Sequence, residues 1–113
     1  MTVRQLLLPY IGALLLAALG PCLSRADSVS TDSTIVMAKD FMFAPTSLTV
    51  PAGSTVTWTN KDDEPHTVVS DSGLFRSGAI DTNEGFSFRF DKPGTYRYAC
   101  SIHPRMVGTI IVR

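Results

Sequence analysis

Histidine and cysteine are scarce in this 113-residue chain, which has two of each, His66 and His103, Cys22 and Cys100, and a single tryptophan, Trp58. It has no cluster of basic residues: ten Lys and Arg are scattered among ten Asp and Glu, which excludes the electrostatic footprint of a nucleic-acid binder. No segment sustains a helical hydrophobic period, no unit repeats, and no tract is of low complexity. A helical bundle and a solenoid are therefore excluded. The one long apolar run, Leu6 to about Leu19, is interrupted by Pro9 and is marginal against the roughly 20 residues of a membrane-spanning helix.

That run reads as a targeting signal. A single positive charge, Arg4, precedes it, and Ser24 and Ala26 stand where a signal peptidase needs small residues, so cleavage is expected after Ala26. Residues 1–26 are then a signal peptide, 27–33 (DSVSTDS) a flexible lead-in, and 34–113 the folded domain. The product is expected in the periplasm, without a membrane span and as a monomer. A retained anchor is the alternative. Leu19-Gly20-Pro21-Cys22 loosely resembles a lipobox, which Pro21 fits poorly. Cleavage would remove Arg4, Arg25 and Cys22, leaving a small acidic excess and one cysteine, Cys100. An unpaired cysteine in an oxidising compartment must dimerise, react or be occupied. A metal there would also stabilise a domain small enough to fold alone with little to spare.

The rest reads as strands. Thr34–Ala38 is β-branched and apolar, and Ser47–Val50 leads into a Pro51-Ala52-Gly53 turn. Thr55–Thr59 alternates, as does Phe86–Phe90 before the Asp91-Lys92-Pro93-Gly94 turn. His66–Ser70 is a further short strand, Thr95–Cys100 puts Tyr96, Tyr98 and Cys100 on one face, and Val107–Val112 closes the chain. Residues 71–85 are an irregular connection. Short strands between Gly/Pro turns predict an all-β, antiparallel or mixed sandwich. Trp58, Phe88, Tyr96 and Tyr98 are expected in its core, with Met37 and Met42 as filler, and Lys61-Asp62-Asp63-Glu64 as a solvated turn.

The chemistry concentrates in Cys100-Ser101-Ile102-His103-Pro104-Arg105-Met106, a Cys-x2-His-x2-Met run at a strand end. Two histidines and a cysteine with a weak axial methionine form an electron-transfer copper site. The second histidine has to be His66, because the chain holds no other. Taken singly, each residue has a bland reading: a surface histidine, a core methionine, a small buried cysteine. Together they point to one copper ion held by His66, Cys100, His103 and Met106. Pro104 restricts the loop.

These residues carry a resemblance. The run Cys100–Met106 resembles the copper loop of the cupredoxins, or blue-copper proteins, and its two-residue gaps match the short loop of the amicyanin type. Thr55–Asn60 and Pro65-His66-Thr67-Val68 are similar to the same type, including the six-residue step from Asn60 to His66. The resemblance covers about residues 34–113. It implies a Greek-key β-sandwich of about eight strands, with His66, Cys100 and His103 as equatorial ligands and Met106 as the axial one. It implies that Asn60 ties the His66 loop to the Cys100 loop, and that the activity is single-electron carriage rather than catalysis. It also implies redox partner proteins, a dehydrogenase and a c-type cytochrome being the pair an amicyanin serves. Arg105 departs from the apolar residue common in the family.

Three other classes use the same residues. Periplasmic copper delivery or storage needs the same ligands. An enzyme with Cys100 as nucleophile leaves Met106 without a role. Zinc is disfavoured because structural zinc sites take Cys and His rather than a thioether. A binuclear copper domain would need two cysteines in the loop.

Overall fold

A computed structural model of the chain describes residues 34–113; the signal-peptide reading, Cys22 and the 27–33 lead-in lie outside the described residues. Eight strands follow in order: β1 Ile35–Lys39, β2 Met42–Ala44, β3 Ser47–Val50, β4 Ser54–Asn60, β5 Val69–Ser70, β6 Gly85–Phe90, β7 Gly94–Ala99 and β8 Val107–Val112. One sheet has the order β2-β1-β4-β6 and the other β3-β8-β7-β5. The chain changes sheet at every connection from β2 to β7, the interleaving of a Greek-key sandwich. The sheets are mixed: β1 runs parallel to β4 and β3 parallel to β8, and the other pairs are antiparallel.

Alternation explains which side chains meet between the sheets. Val36 and Ala38 on β1, Val56, Trp58 and Asn60 on β4, and Ile110 and Val112 on β8 point inward and are buried. Trp58 is the hub, with Phe75, Phe86, Phe90 and Tyr98 around its ring at centroid distances of 5.6, 5.9, 6.4 and 5.3 Å. Tyr98 and Trp58 are core residues as expected, whereas Phe88 and Tyr96 only pack against the core from partly buried positions. Gly108 has to be glycine, because a Cβ there would run into the Tyr98 ring and hydroxyl on the neighbouring strand.

Three expectations are corrected. Met37 and Met42 do not fill the core: both fall on the outward phase of their strands and are exposed. The predicted strand at 66–70 is only Val69–Ser70, with His66 held in an isolated bridge to Ile80. Strand β2 was not anticipated. It folds back on β1 through a two-residue turn, Asp40-Phe41, in which both residues have positive φ (52° and 58°) and neither is glycine.

Candidate metal centre

Cys100 follows β7, and its loop is closed from within. The Cys100 N–H donates to the Met106 carbonyl at 3.0 Å and the Met106 N–H to the His103 carbonyl at 2.9 Å. These two bonds bend seven residues back over the end of the strand, with Cys100 and Met106 buried and His103 partly exposed. His66 arrives from the other side, fixed by reciprocal backbone bonds with Ile80 (3.1 and 2.7 Å).

Three of the four sequence-predicted donors, His66, Cys100 and His103, converge. His66 Nδ1 lies 3.2 Å from His103 Nδ1, and Cys100 Sγ lies 4.0 Å from the first and 3.8 Å from the second. A point equidistant from these three atoms lies about 2.1 Å from each, the length of metal–nitrogen and metal–sulfur bonds at roughly 2.0–2.3 Å. Among the described residues these three form the one such cluster. Two neutral imidazoles facing each other through bare nitrogens repel unless a cation or proton lies between them, so the donor chemistry fits a bound metal ion.

Asp62 sets the tautomer of His66. Its Oδ2 is 2.8 Å from His66 Nε2, so the ring donates its proton there and leaves Nδ1 free for a metal. Asp62 also accepts the N–H groups of Asp40 (2.7 Å) and Phe41 (3.0 Å). Burial pushes the Asp62 carboxyl up, but the Phe41 N–H, the His66 ring and the Asp40 N–H outweigh it and hold it below the usual carboxylate range. The same two N–H bonds compensate for the left-handed Asp40-Phe41 turn, a conformation costing about 1–2 kcal/mol per non-glycine residue. Phe41 is thereby held with its ring edge-on to His66 (5.5 Å) and His103 (5.0 Å). Reading 61–64 as a solvated turn is thus corrected at Asp62, which is buried against His66; an acid four residues before a histidine was the available signal.

Asn60 is also corrected in its contacts. Its amide donates to the Glu64 and Ile80 carbonyls (2.7 and 2.9 Å), and its Oδ1 accepts the Asp62 N–H (2.8 Å). It braces the segment leading to His66. The tie to the Cys100 loop is made instead by Thr67, whose N–H is 3.3 Å from Cys100 Sγ and whose hydroxyl accepts the Ser101 N–H at 2.7 Å. Burial opposes ionisation of Cys100, yet hydrogen bonds from the backbone of Thr67, His103 and Ile102 bring the thiol down to about 6. The sulfur is therefore a thiolate at neutral pH, the form that binds metal.

The two imidazoles differ in access: the His66 side chain is 1% exposed and that of His103 27%. Phe41, Ile102, Pro104, Arg105 and Met106 surround the His103 edge in a shallow, mostly apolar depression.

Fold and donor set together define a small β-sandwich protein with a convergent two-histidine, one-cysteine set beside a buried methionine. The chain belongs to the cupredoxin family: a cupredoxin-like domain is matched over residues 12–112. It is 34% identical over 95 residues to amicyanin-alpha of Methylorubrum extorquens, covering 80% of each chain. It is 37% identical over 98 residues to plastocyanin of Scenedesmus fuscus, covering 73% of this chain and all of that one. Among solved structures, a purple cupredoxin from Nitrosopumilus maritimus superposes with a TM-score of 0.65 at 33% identity, covering 70% of this chain and 98% of that one. The family and the donor arrangement agree on a single copper ion of the type 1 kind as cofactor.

Proposed function

We propose that this chain is an exported single-electron carrier that holds one copper ion through His66, Cys100, His103 and Met106. Copper in such a site supplies a one-electron couple between Cu(II) and Cu(I). The observation that carries the reading is the asymmetric donor triangle: one imidazole sealed in the core, one with its edge at the surface, and a buried thiolate between them.

Each residue has a part in that task. Backbone bonds to Ile80 and the Asp62 carboxylate hold the His66 ring on both sides. The closed 100–106 loop holds Cys100, His103 and Met106 as a unit. Ligands held by the scaffold move little when the charge of the centre changes, which keeps the barrier to electron exchange low. The buried Met106 would hold the ion through its thioether. The His103 edge and its apolar surround form the contact for redox partners, with Arg105 selecting among them by charge. Partners of the dehydrogenase and c-type cytochrome kinds, a monomeric state and a periplasmic location belong to this reading. Residues 1–26 serve as the export signal and 34–113 as the domain.

A role other than catalysis is favoured by the burial of Cys100, 1% exposed, since a nucleophilic thiolate must reach its substrate. A carrier is favoured over copper delivery by the same rigid seating, because a delivery protein has to release its metal.

The test is optical. The copper-loaded protein is expected to show an intense visible band that reductant bleaches reversibly, and Cys100→Ala is expected to abolish it. Unchanged colour in Cys100→Ala overturns the ligand set. Slow copper loss to a chelator is expected of a carrier; rapid loss in both redox states would establish delivery instead.

A further inference from the structure

The hydroxyl of Thr67 has more neighbours than protons. Its Oγ1 accepts the Ser101 N–H at 2.7 Å, lies 2.7 Å from Ser101 Oγ, and lies 3.7 Å from Cys100 Sγ, within reach of a hydrogen bond to sulfur. A threonine hydroxyl has one proton to donate and two lone pairs to accept with. The Ser101 N–H occupies one lone pair. Two proton orders remain. Either Thr67 donates to Ser101 Oγ, and its hydroxyl gives the sulfur nothing, or Ser101 Oγ donates to Thr67 and the Thr67 proton goes to Sγ.

Surroundings decide between them. Cys100 is buried at 1% exposure, so its anionic sulfur is shielded from water and gains most from a protein donor. Ser101 is exposed, so water satisfies its oxygen in either order. Only the second order puts the Thr67 proton on the anion.

We propose that Thr67 and Ser101 form a hydroxyl relay, Ser101 Oγ–H to Thr67 Oγ1–H to Cys100 Sγ, that gives the ligand sulfur a hydroxyl hydrogen bond beside those from the backbone N–H groups. This rests on the copper reading above. A donor on the sulfur withdraws electron density from it and weakens it as a ligand, more for the oxidised ion than for the reduced one. The relay therefore favours the reduced state and raises the midpoint potential. Thr67 is a positioning residue in this scheme, acting through Cys100.

Voltammetry of copper-loaded variants tests it. Thr67→Val keeps the shape and the N–H but removes the hydroxyl. Its oxidised-to-reduced equilibrium is expected to shift about three- to tenfold towards the oxidised form, where tenfold corresponds to about 59 mV for one electron. Thr67→Ser is expected to restore the wild-type potential. Ser101→Ala leaves Thr67 only the sulfur to donate to and is expected to stay within about twofold of wild type. The opposite proton order predicts the reverse: Thr67→Val unchanged, and a raised potential in Ser101→Ala, where the freed proton turns to sulfur. Either of those results overturns the proposal. Ser101 is exposed, so its variant decides the matter even if Thr67→Val does not fold. Absence of a reversible coloured site in the wild type would instead defeat the copper reading, so the two failures are distinguishable.

Discussion

Asp62 does two things with one carboxylate: it accepts a hydrogen bond from the Nε2–H of His66 and clamps the Asp40-Phe41 turn. A residue that orients a metal-binding histidine in this way typically affects affinity by about 10–100-fold. Asp62→Ala is therefore expected to lose copper affinity in that range by chelator competition. An unchanged affinity with lowered stability would show that the carboxylate matters only to the turn. Met106 is expected to act on the potential rather than on retention. In Met106→Gln an oxygen donor replaces the thioether and stabilises the oxidised ion more, so the midpoint potential should fall. An unchanged or raised potential in voltammetry would remove Met106 from the axial position.

At the scale of elements, the close approach of β7 and β8 depends on the missing side chain at Gly108. Gly108→Ala would press a methyl group into the Tyr98 ring, which is packed against Trp58 and Phe43 and cannot swing away. Overpacking of this kind costs about 1–3 kcal/mol. Chemical denaturation should show that loss, with a smaller loss in the Gly108→Ala, Tyr98→Phe double variant than the sum of the singles. Strict additivity would mean that the backbone shifts instead.

Strands were legible in the sequence where alternation ran long. The sequence readings of β4 and β6 fall within one residue of the observed ends, because Val56/Trp58 and Phe86/Phe88/Phe90 repeat at the period of a half-buried strand. The three-residue β2 was not, since its turn lacks the glycine or asparagine that usually marks a left-handed hairpin; its stability comes from Asp62, 22 residues away. The convergence of His66, Cys100 and His103 was legible as residue types in a rare combination. The supporting groups were not: Asp62 sits in an acidic run that resembles any solvated turn, and Thr67 and Ser101 are commonplace residues whose meeting across 34 positions is a product of the fold.

For the whole molecule, copper and folding are linked. An ion that binds the native state at 100 times its dissociation constant adds about 2.7 kcal/mol of stability. For a domain of this size each kcal/mol is worth about 4–8 °C in Tm. Calorimetry is expected to place the copper-loaded protein on the order of 10 °C or more above the metal-free one. Equal transitions would show that copper binds folded and unfolded chains alike.

The spacing of the donors has a consequence for how copper first enters. His66 joins the others only when the sheets assemble, but Cys100, His103 and Met106 lie within seven residues and are already neighbours in the unfolded chain. Before folding, that heptapeptide is a soft thiolate–imidazole–thioether chelate, a set suited to Cu(I). Early capture of the reduced ion would therefore need little chain ordering, whereas the donor set that includes His66 waits for closure of a loop of more than thirty residues. The unfolded chain thus competes with the native one more strongly for Cu(I) than for Cu(II). The stabilisation gained from the metal should accordingly be larger in the oxidised protein.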